Sequence, residues 1–126
     1  MQLKESAENY LEIILMLKKE NGMVRAIDIA NDLGYSKPSV SVAMKKLRES
    51  GYISVDKNGN ITLEAAGFEI ASKILDRHQT ISNLLMTFGV RQEVAEKDAC
   101  KIEHVISEES YECLKEFLVK NQITSL

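Results

Sequence analysis

Cys100, Glu103 and His104 stand at positions i, i+3 and i+4 of the segment DACKIEHV, residues 98–105, and His104 is one of only two histidines in the chain. On a helix these three side chains share one face. A thiolate, a carboxylate and an imidazole suit a divalent transition metal better than calcium or magnesium, which prefer shells of oxygen. Three donors from one helix rarely complete such a shell, so others must come from elsewhere. The second histidine, His78, is the natural addition, and Asn9 with Glu12 forms another polar i, i+3 pair near the N-terminus. Each has a plainer alternative. His78 alone reads as an ordinary helical histidine, and the Cys100 face as a small buried cysteine beside a surface Glu/His pair. Cys113 has no such neighbours and is expected to pack in the core. A Cys/His pair can also serve as nucleophile and base, but no glycine-rich oxyanion loop or third orienting group accompanies it. A metallohydrolase would need an open cleft and a general base, so no enzyme is expected.

The elements that must position these residues follow from composition and periodicity. With 126 residues, 44% hydrophobic and 28% charged, the chain is of ordinary globular type, enough for one substantial core or two small ones. The longest apolar run, residues 13–17, is far short of the roughly 20 residues of a membrane span. No apolar signal segment follows Lys4 and Glu5, so a cytoplasmic location is expected. Two cysteines make no disulfide framework, and a reducing compartment keeps both as thiols. The net charge of -3 is unevenly spread: residues 1–73 carry 10 basic and 10 acidic side chains, residues 74–126 carry 6 and 9. The neutral first part can still hold a basic patch.

Tyr10, Leu11, Ile14, Leu15 and Leu17 follow helical spacing over residues 7–19, and Asn21-Gly22 supplies a C-terminal stop. The period returns over residues 26–33 and breaks at Gly34. In YSKPSVSVAMKKLRESGY, Ser36 is an N-cap, Pro38 sits in the first turn, and Val40, Met44 and Leu47 form the buried stripe before Gly51. YISVDKNGNITL then alternates on both sides of an Asn-Gly pair, which predicts two short strands and a tight turn. Further helices are expected over residues 64–86, 91–106 and 107–118, the last opened by a capping pattern at Ser107 and Ser110, with fraying after Lys120. The fold class is therefore mainly α: an N-terminal winged helix-turn-helix, residues 1–73, followed by a helical domain, residues 74–126, that carries His78 and the Cys100 face.

A winged helix-turn-helix inserts its third helix into the major groove of DNA. Ser36, Lys37, Pro38, Ser39, Ser41, Val42, Lys45 and Lys46 lie at the start and outer side of that helix, and Lys57 at the hairpin tip can reach a neighbouring phosphate. A solvated helix face is the alternative for any one of them; the order of the elements raises the DNA-reading account above it.

At this point the residues carry a family likeness. ENYLEIILML, SKPSVSVAMKKL, GNITLEAAG, RHQTISNLLMTFGV and DACKIEHVIS together resemble the diphtheria toxin repressor family of metal-dependent bacterial transcription factors, especially its short members, the manganese transport regulators. The resemblance implies a homodimer that reads a palindromic operator in double-stranded DNA, with metal as co-repressor of metal-uptake genes. It implies metal positions at Asn9, Glu12, His78, Cys100, Glu103 and His104. Glu12 resembles the manganese-responsive members, Cys100 the iron-responsive ones, and Asn9 stands where the family usually has aspartate or methionine. Ser82 and Glu96 occupy places where the ancillary site of the iron branch would have glutamate and histidine. Fe(II) or Mn(II) is the expected cofactor, with Zn(II) or Co(II) able to bind in vitro. No membrane and no small organic substrate is implied. Dimer contacts are expected from Ile81, Leu84, Leu85, Phe88 and Val105, and no counterpart of the SH3-like domain of longer members is covered. The alternative reading is a metal-independent winged-helix regulator responding to a small molecule or a protein.

Overall fold

The computed structural model describes residues 4–121. It resolves into two compact units, Met1–Ser72 and Lys73–Leu126. The first begins with α1, Glu5–Asn21, whose first turn carries Glu5 and Glu8 and whose last carries Lys18 and Lys19. Those charges complement the helix dipole, in keeping with α1 running two residues past the expected span of 7–19 at either end. Gly22 closes it at φ 80°, donating its N–H to Lys18 O. The helix α2, Ala26–Leu33, has the expected bounds, and α3, Lys37–Glu49, starts from Ser36, whose Oγ accepts from Ser39 N–H at 3.3 Å. Leu11, Ile14, Val24, Ile29, Val40 and Ile53 are the fully buried heart of this unit.

The strands β1, Ile53–Val55, and β2, Ile61–Leu63, pair antiparallel with Val55 opposite Ile61. The tight turn expected at Asn-Gly is present: across Asp56–Gly59, Gly59 N–H donates to Asp56 O at 3.0 Å, and Asp56 N–H donates to Asn60 O at 3.0 Å behind it. The Asp56 side chain clasps this turn as well: its Oδ1 accepts the N–H groups of Asn58 at 2.8 Å and Asn60 at 2.9 Å. The backbone N–H of Asn60, foremost among these contacts, holds the Asp56 carboxyl below its ordinary pKa. Ile61 N–H donates to Val24 O at 2.8 Å, so the wing is tied to the chain between α1 and α2.

The helix α4, Ala65–Thr87, contains the boundary between the units. Near its start Gly67 lies so close to Tyr52 that a Cβ would stand 2.2 Å from the Tyr52 carbonyl oxygen, the same oxygen that accepts Glu64 N–H at 2.9 Å. In the second unit, α5, Gln92–Val105, and α6, Glu108–Lys120, follow; Ser107 caps α6 by accepting Ser110 N–H at 3.1 Å. The fraying expected after Lys120 falls, beyond Asn121, outside the described residues. Ala95, Ala99, Tyr111 and Leu118 are buried there. Cys113 is exposed, against expectation, because it lies about 200° around α6 from Tyr111 at 3.6 residues per turn. Ile81 and Leu84 belong to the chain's own buried core, whereas Phe88 and Val105 are 71% and 78% exposed. No helix among the described residues is long and apolar enough to cross a membrane.

Candidate metal centre and nucleic-acid face

The last two turns of α5 carry Glu103 and His104. Glu103 is fully buried, with its Oε2 3.0 Å from His78 Nδ1 on α4 and its Oε1 3.4 Å from His104 Nε2. Oε1 has no hydrogen-bond partner among the described residues. A buried polar atom left unmet costs about 1–3 kcal/mol, more when charged, and such an orphan calls for an explanation, an absent ion being one. Two imidazoles beside one buried carboxylate form a nitrogen and oxygen donor set that fits a divalent transition metal.

The plainer account of this face is therefore reversed. The Glu/His pair is the buried part, with the His104 side chain only 2% exposed, and Cys100, one turn earlier, is exposed. On α1 a second carboxylate, Glu12, is buried, with Asn9 half-buried one turn before it. Ser82 is buried and its Oγ has no partner among the described residues, while Glu96 is exposed and accepts from Gln92 Nε2 at 3.1 Å.

Sequence reasoning missed the residues that surround this cluster in the second unit. Arg77 donates through Nη1 to Glu103 O at 3.2 Å and Ile106 O at 3.0 Å, and through Nη2 to Glu108 Oε2 at 2.8 Å. Its guanidinium also lies 5.3 Å from the Tyr111 ring centre. Asp76 accepts from the Tyr111 hydroxyl and from Lys115 Nζ, the latter at 2.9 Å. Burial pushes the Asp76 carboxyl up, but these two donors outweigh it and hold its pKa below the usual value. Burial, then the Asp76 contact, raises that of Tyr111. The Asp-Arg-His run was the one available signal, since Arg77 bonds largely to backbone carbonyls.

The outer face of α3 is as the sequence indicated. Val40, Met44 and Leu47 are buried, and Ser36, Lys37, Pro38, Ser39, Ser41, Val42, Lys45 and Lys46 are exposed, as is Lys57 at the wing tip. Residues 33–48 contain no acidic side chain, so nothing in this stretch opposes a phosphate backbone. Ser36 and Ser39 are engaged with each other, Oγ to Oγ at 2.9 Å, which makes them first of all the cap of the helix. Val42, 56% exposed, offers an apolar contact of the kind a thymine methyl accepts.

Comparison with known proteins adds ancestry to this geometry. Residues 2–61 match the family model described as "Iron dependent repressor, N-terminal DNA binding domain", and residues 64–123 match "Iron dependent repressor, metal binding and dimerisation domain". An uncharacterised HTH-type transcriptional regulator of Methanocaldococcus jannaschii is 38% identical over 120 residues, covering 94% of this chain and 96% of its own. The transcriptional regulator MntR of Escherichia coli O6:H1 is 35% identical over 118 residues, covering 94% of this chain and 76% of its own. Among solved structures, IdeR of T. acidophilum superposes with a TM-score of 0.80 at 27% identity, and the manganese regulator SloR with 0.78 at 28%. Each covers 94% of this chain, which spans only 55% and 54% of their respective lengths. With both halves matched and these relatives spanning nearly all of it, the chain belongs to the iron-dependent, or diphtheria toxin, repressor family, in its manganese-regulator branch, a family of metal-dependent transcription regulators and not of enzymes.

Proposed function

We propose that this protein is a metal-activated repressor that senses Fe(II) or Mn(II) in the cytoplasm and binds palindromic operators of metal-uptake genes as a homodimer. The observation that carries the reading is the buried Glu103 carboxylate, set between His78 and His104 with no hydrogen bond to Oε1 among the described residues. His78, Glu103 and His104 would hold the ion, with Cys100 and, by the resemblance, Glu12 and Asn9 as the remaining donors. The ion supplies a positive centre that these oxygen, nitrogen and sulfur donors share. Cys100, exposed one turn before Glu103, would add a sulfur donor. Functionally the chain divides at about residue 73, with residues 1–73 reading DNA and residues 74–126 sensing metal and forming the dimer.

Donors drawn from both parts, Glu12 from the first and Glu103 and His104 from the second, would bias the dimer toward presenting its two α3 helices to successive major grooves, about 34 Å apart. Coupling of this kind is typically about 1–3 kcal/mol, or about 5- to 150-fold in operator affinity. The surface of α3, with Lys37, Lys45 and Lys46, would supply phosphate contacts, and Ser41 and Val42 would face base edges.

The test is selection from random duplex DNA, anaerobically, in chelator, Mn(II), Fe(II) or Zn(II), followed by sequencing. A palindrome retained only with metal supports the reading, and the most effective ion names the cofactor. The same palindrome retained equally in chelator would transfer the protein to the metal-independent class. Glu12→Gln is expected to keep fold and dimer while losing metal-stimulated binding; full stimulation in that variant would remove Glu12 from the donor set.

A further inference from the structure

Arg77 is nearly buried, its side chain 11% exposed, and its Nε has no hydrogen-bond partner among the described residues. A buried donor left unmet is costly, so the rest of the guanidinium must return something at this position. Its partners say what. The final backbone bond of α5 runs from Ile106 N–H to Ile102 O, and Ile106 then turns extended at φ -69° and ψ 137°. From Glu103 onward the carbonyls of α5 therefore have no intrahelical donor. Arg77 Nη1 meets two of them, Glu103 O and Ile106 O, and places a positive charge at the negative end of the helix dipole. Nη2 is anchored by Glu108 Oε2, which Lys73 Nζ also holds at 3.1 Å, and the Tyr111 ring lies beside the guanidinium at 5.3 Å. One planar fork thus bonds the end of α5 and the start of α6 from the position next to His78. A lysine ammonium has three donors but directs them from one point, without the planar fork that reaches three separated acceptors at fixed geometry.

We infer that Arg77 is a positioning residue of the metal centre: by capping the carbonyl end of α5 it fixes Glu103 and His104 opposite His78. Arg77 itself supplies no ligand. Its effect passes through the backbone of Glu103, whose carbonyl it holds while the side chain of the same residue meets His78. The inference rests on the metal reading above and goes beyond it by naming what sets the ligand geometry.

The test compares the full-length parent with Arg77→Met, Arg77→Lys and Lys115→Met. Each is measured for Mn(II) affinity by calorimetry, for the Co(II) absorption spectrum, and for thermal melting in chelator. Arg77→Met is expected to bind Mn(II) about 10- to 100-fold more weakly, the range typical of losing a partner that orients a ligand, with Arg77→Lys in between. Its Co(II) bands should shift, since ligand geometry and not only affinity changes. Lys115→Met breaks the neighbouring pair with Asp76 and should lower the melting temperature while leaving metal affinity within about twofold. Parent-like affinity and Co(II) bands in folded Arg77→Met would overturn the inference, as would an equal loss in Lys115→Met. Should Arg77→Met not fold, Glu108→Gln keeps the arginine but weakens its anchor, and is expected to cost several-fold in affinity; no loss there would be equally fatal. A parent that takes up neither metal brings down the metal reading itself, whereas a binding parent with an indifferent Arg77→Met rejects only the role of Arg77.

Discussion

Glu103→Gln is expected to stabilise the metal-free protein and, in the same molecule, to abolish stabilisation by metal. The substitution keeps side-chain volume and removes the charge of a residue that is fully buried. His78 Nδ1 can still be met at 3.0 Å by the amide oxygen, and no charge is left at the buried position where Oε1 now lacks a hydrogen bond. Relieving one unmet buried polar atom is worth about 1–3 kcal/mol. At roughly 4 °C per kcal/mol for a domain of this size, the melting temperature in chelator should rise by about 4–12 °C. The parent at a metal concentration 100 times its Kd gains about 2.7 kcal/mol, or roughly 10 °C, and the variant gains almost none. The assay is circular-dichroism melting of both proteins at one fixed protein concentration, in chelator and in Mn(II). The order of stabilities should invert or close between the two conditions. A variant less stable than the parent in chelator would mean that the carboxylate is satisfied without metal. An undiminished Mn(II) shift would mean that Glu103 is not a ligand.

Three further outcomes are expected. Gly67→Ala drives a Cβ to 2.2 Å from the Tyr52 carbonyl oxygen and should cost about 1–3 kcal/mol, read as a lower urea midpoint with unchanged slope; an unchanged midpoint would show that the helix start can shift freely. Lys45→Ala and Lys46→Ala should each lower the slope of log affinity against log salt by about one, measured by anisotropy on operator DNA, with no change in which sequence is preferred. Asp76 has a depressed pKa in the folded chain, so its contribution is present above the ordinary carboxylate pKa and is lost as pH falls through the folded value. Asp76→Asn should therefore lower stability near neutrality by under about 1 kcal/mol, the carboxylate being partly exposed, and flatten the loss below about pH 4; an equally steep acid limb would assign that loss to other carboxylates.

The helices were legible because their signals are local. Ser36 and Pro38 announce α3, Gly22 and Gly34 end their helices in the left-handed region, and the stripe of Val40, Met44 and Leu47 is the one that is buried. The Cys-x-x-Glu-His spacing singled out the helix on which Glu103 is buried, with Cys100 exposed one turn earlier. What sequence could not give was which atoms on that face lack partners. Burial of Glu103 depends on packing between distant segments, and the orphaned Oε1 follows from where His78 happens to spend its nitrogen. Arg77 stayed hidden for a related reason: backbone carbonyls leave no residue-type signature. The wing, by contrast, was legible: the Asn-Gly pair lies in the turn that Gly59 N–H closes on Asp56 O, and the Asp56 carboxylate reinforces it. Cys113 shows that residue type alone does not fix a position around a helix.

The close approach at Gly67 also bears on how such a regulator can be taken apart and rebuilt. The two family matches leave a gap between residues 61 and 64, an inviting place to graft this sensor onto another DNA reader. Packing argues against that seam. Tyr52 O is shared by Glu64 N–H and the bare face of Gly67, and residues up to Ser72 belong with the winged unit. A hybrid joined at 62 would set a foreign wing against a glycine shaped for Tyr52. The natural splice lies within α4, after Ser72, where two halves must be fused helix to helix in register, so functional chimeras of this architecture should be found among helical-phase libraries and not among loop-joined ones.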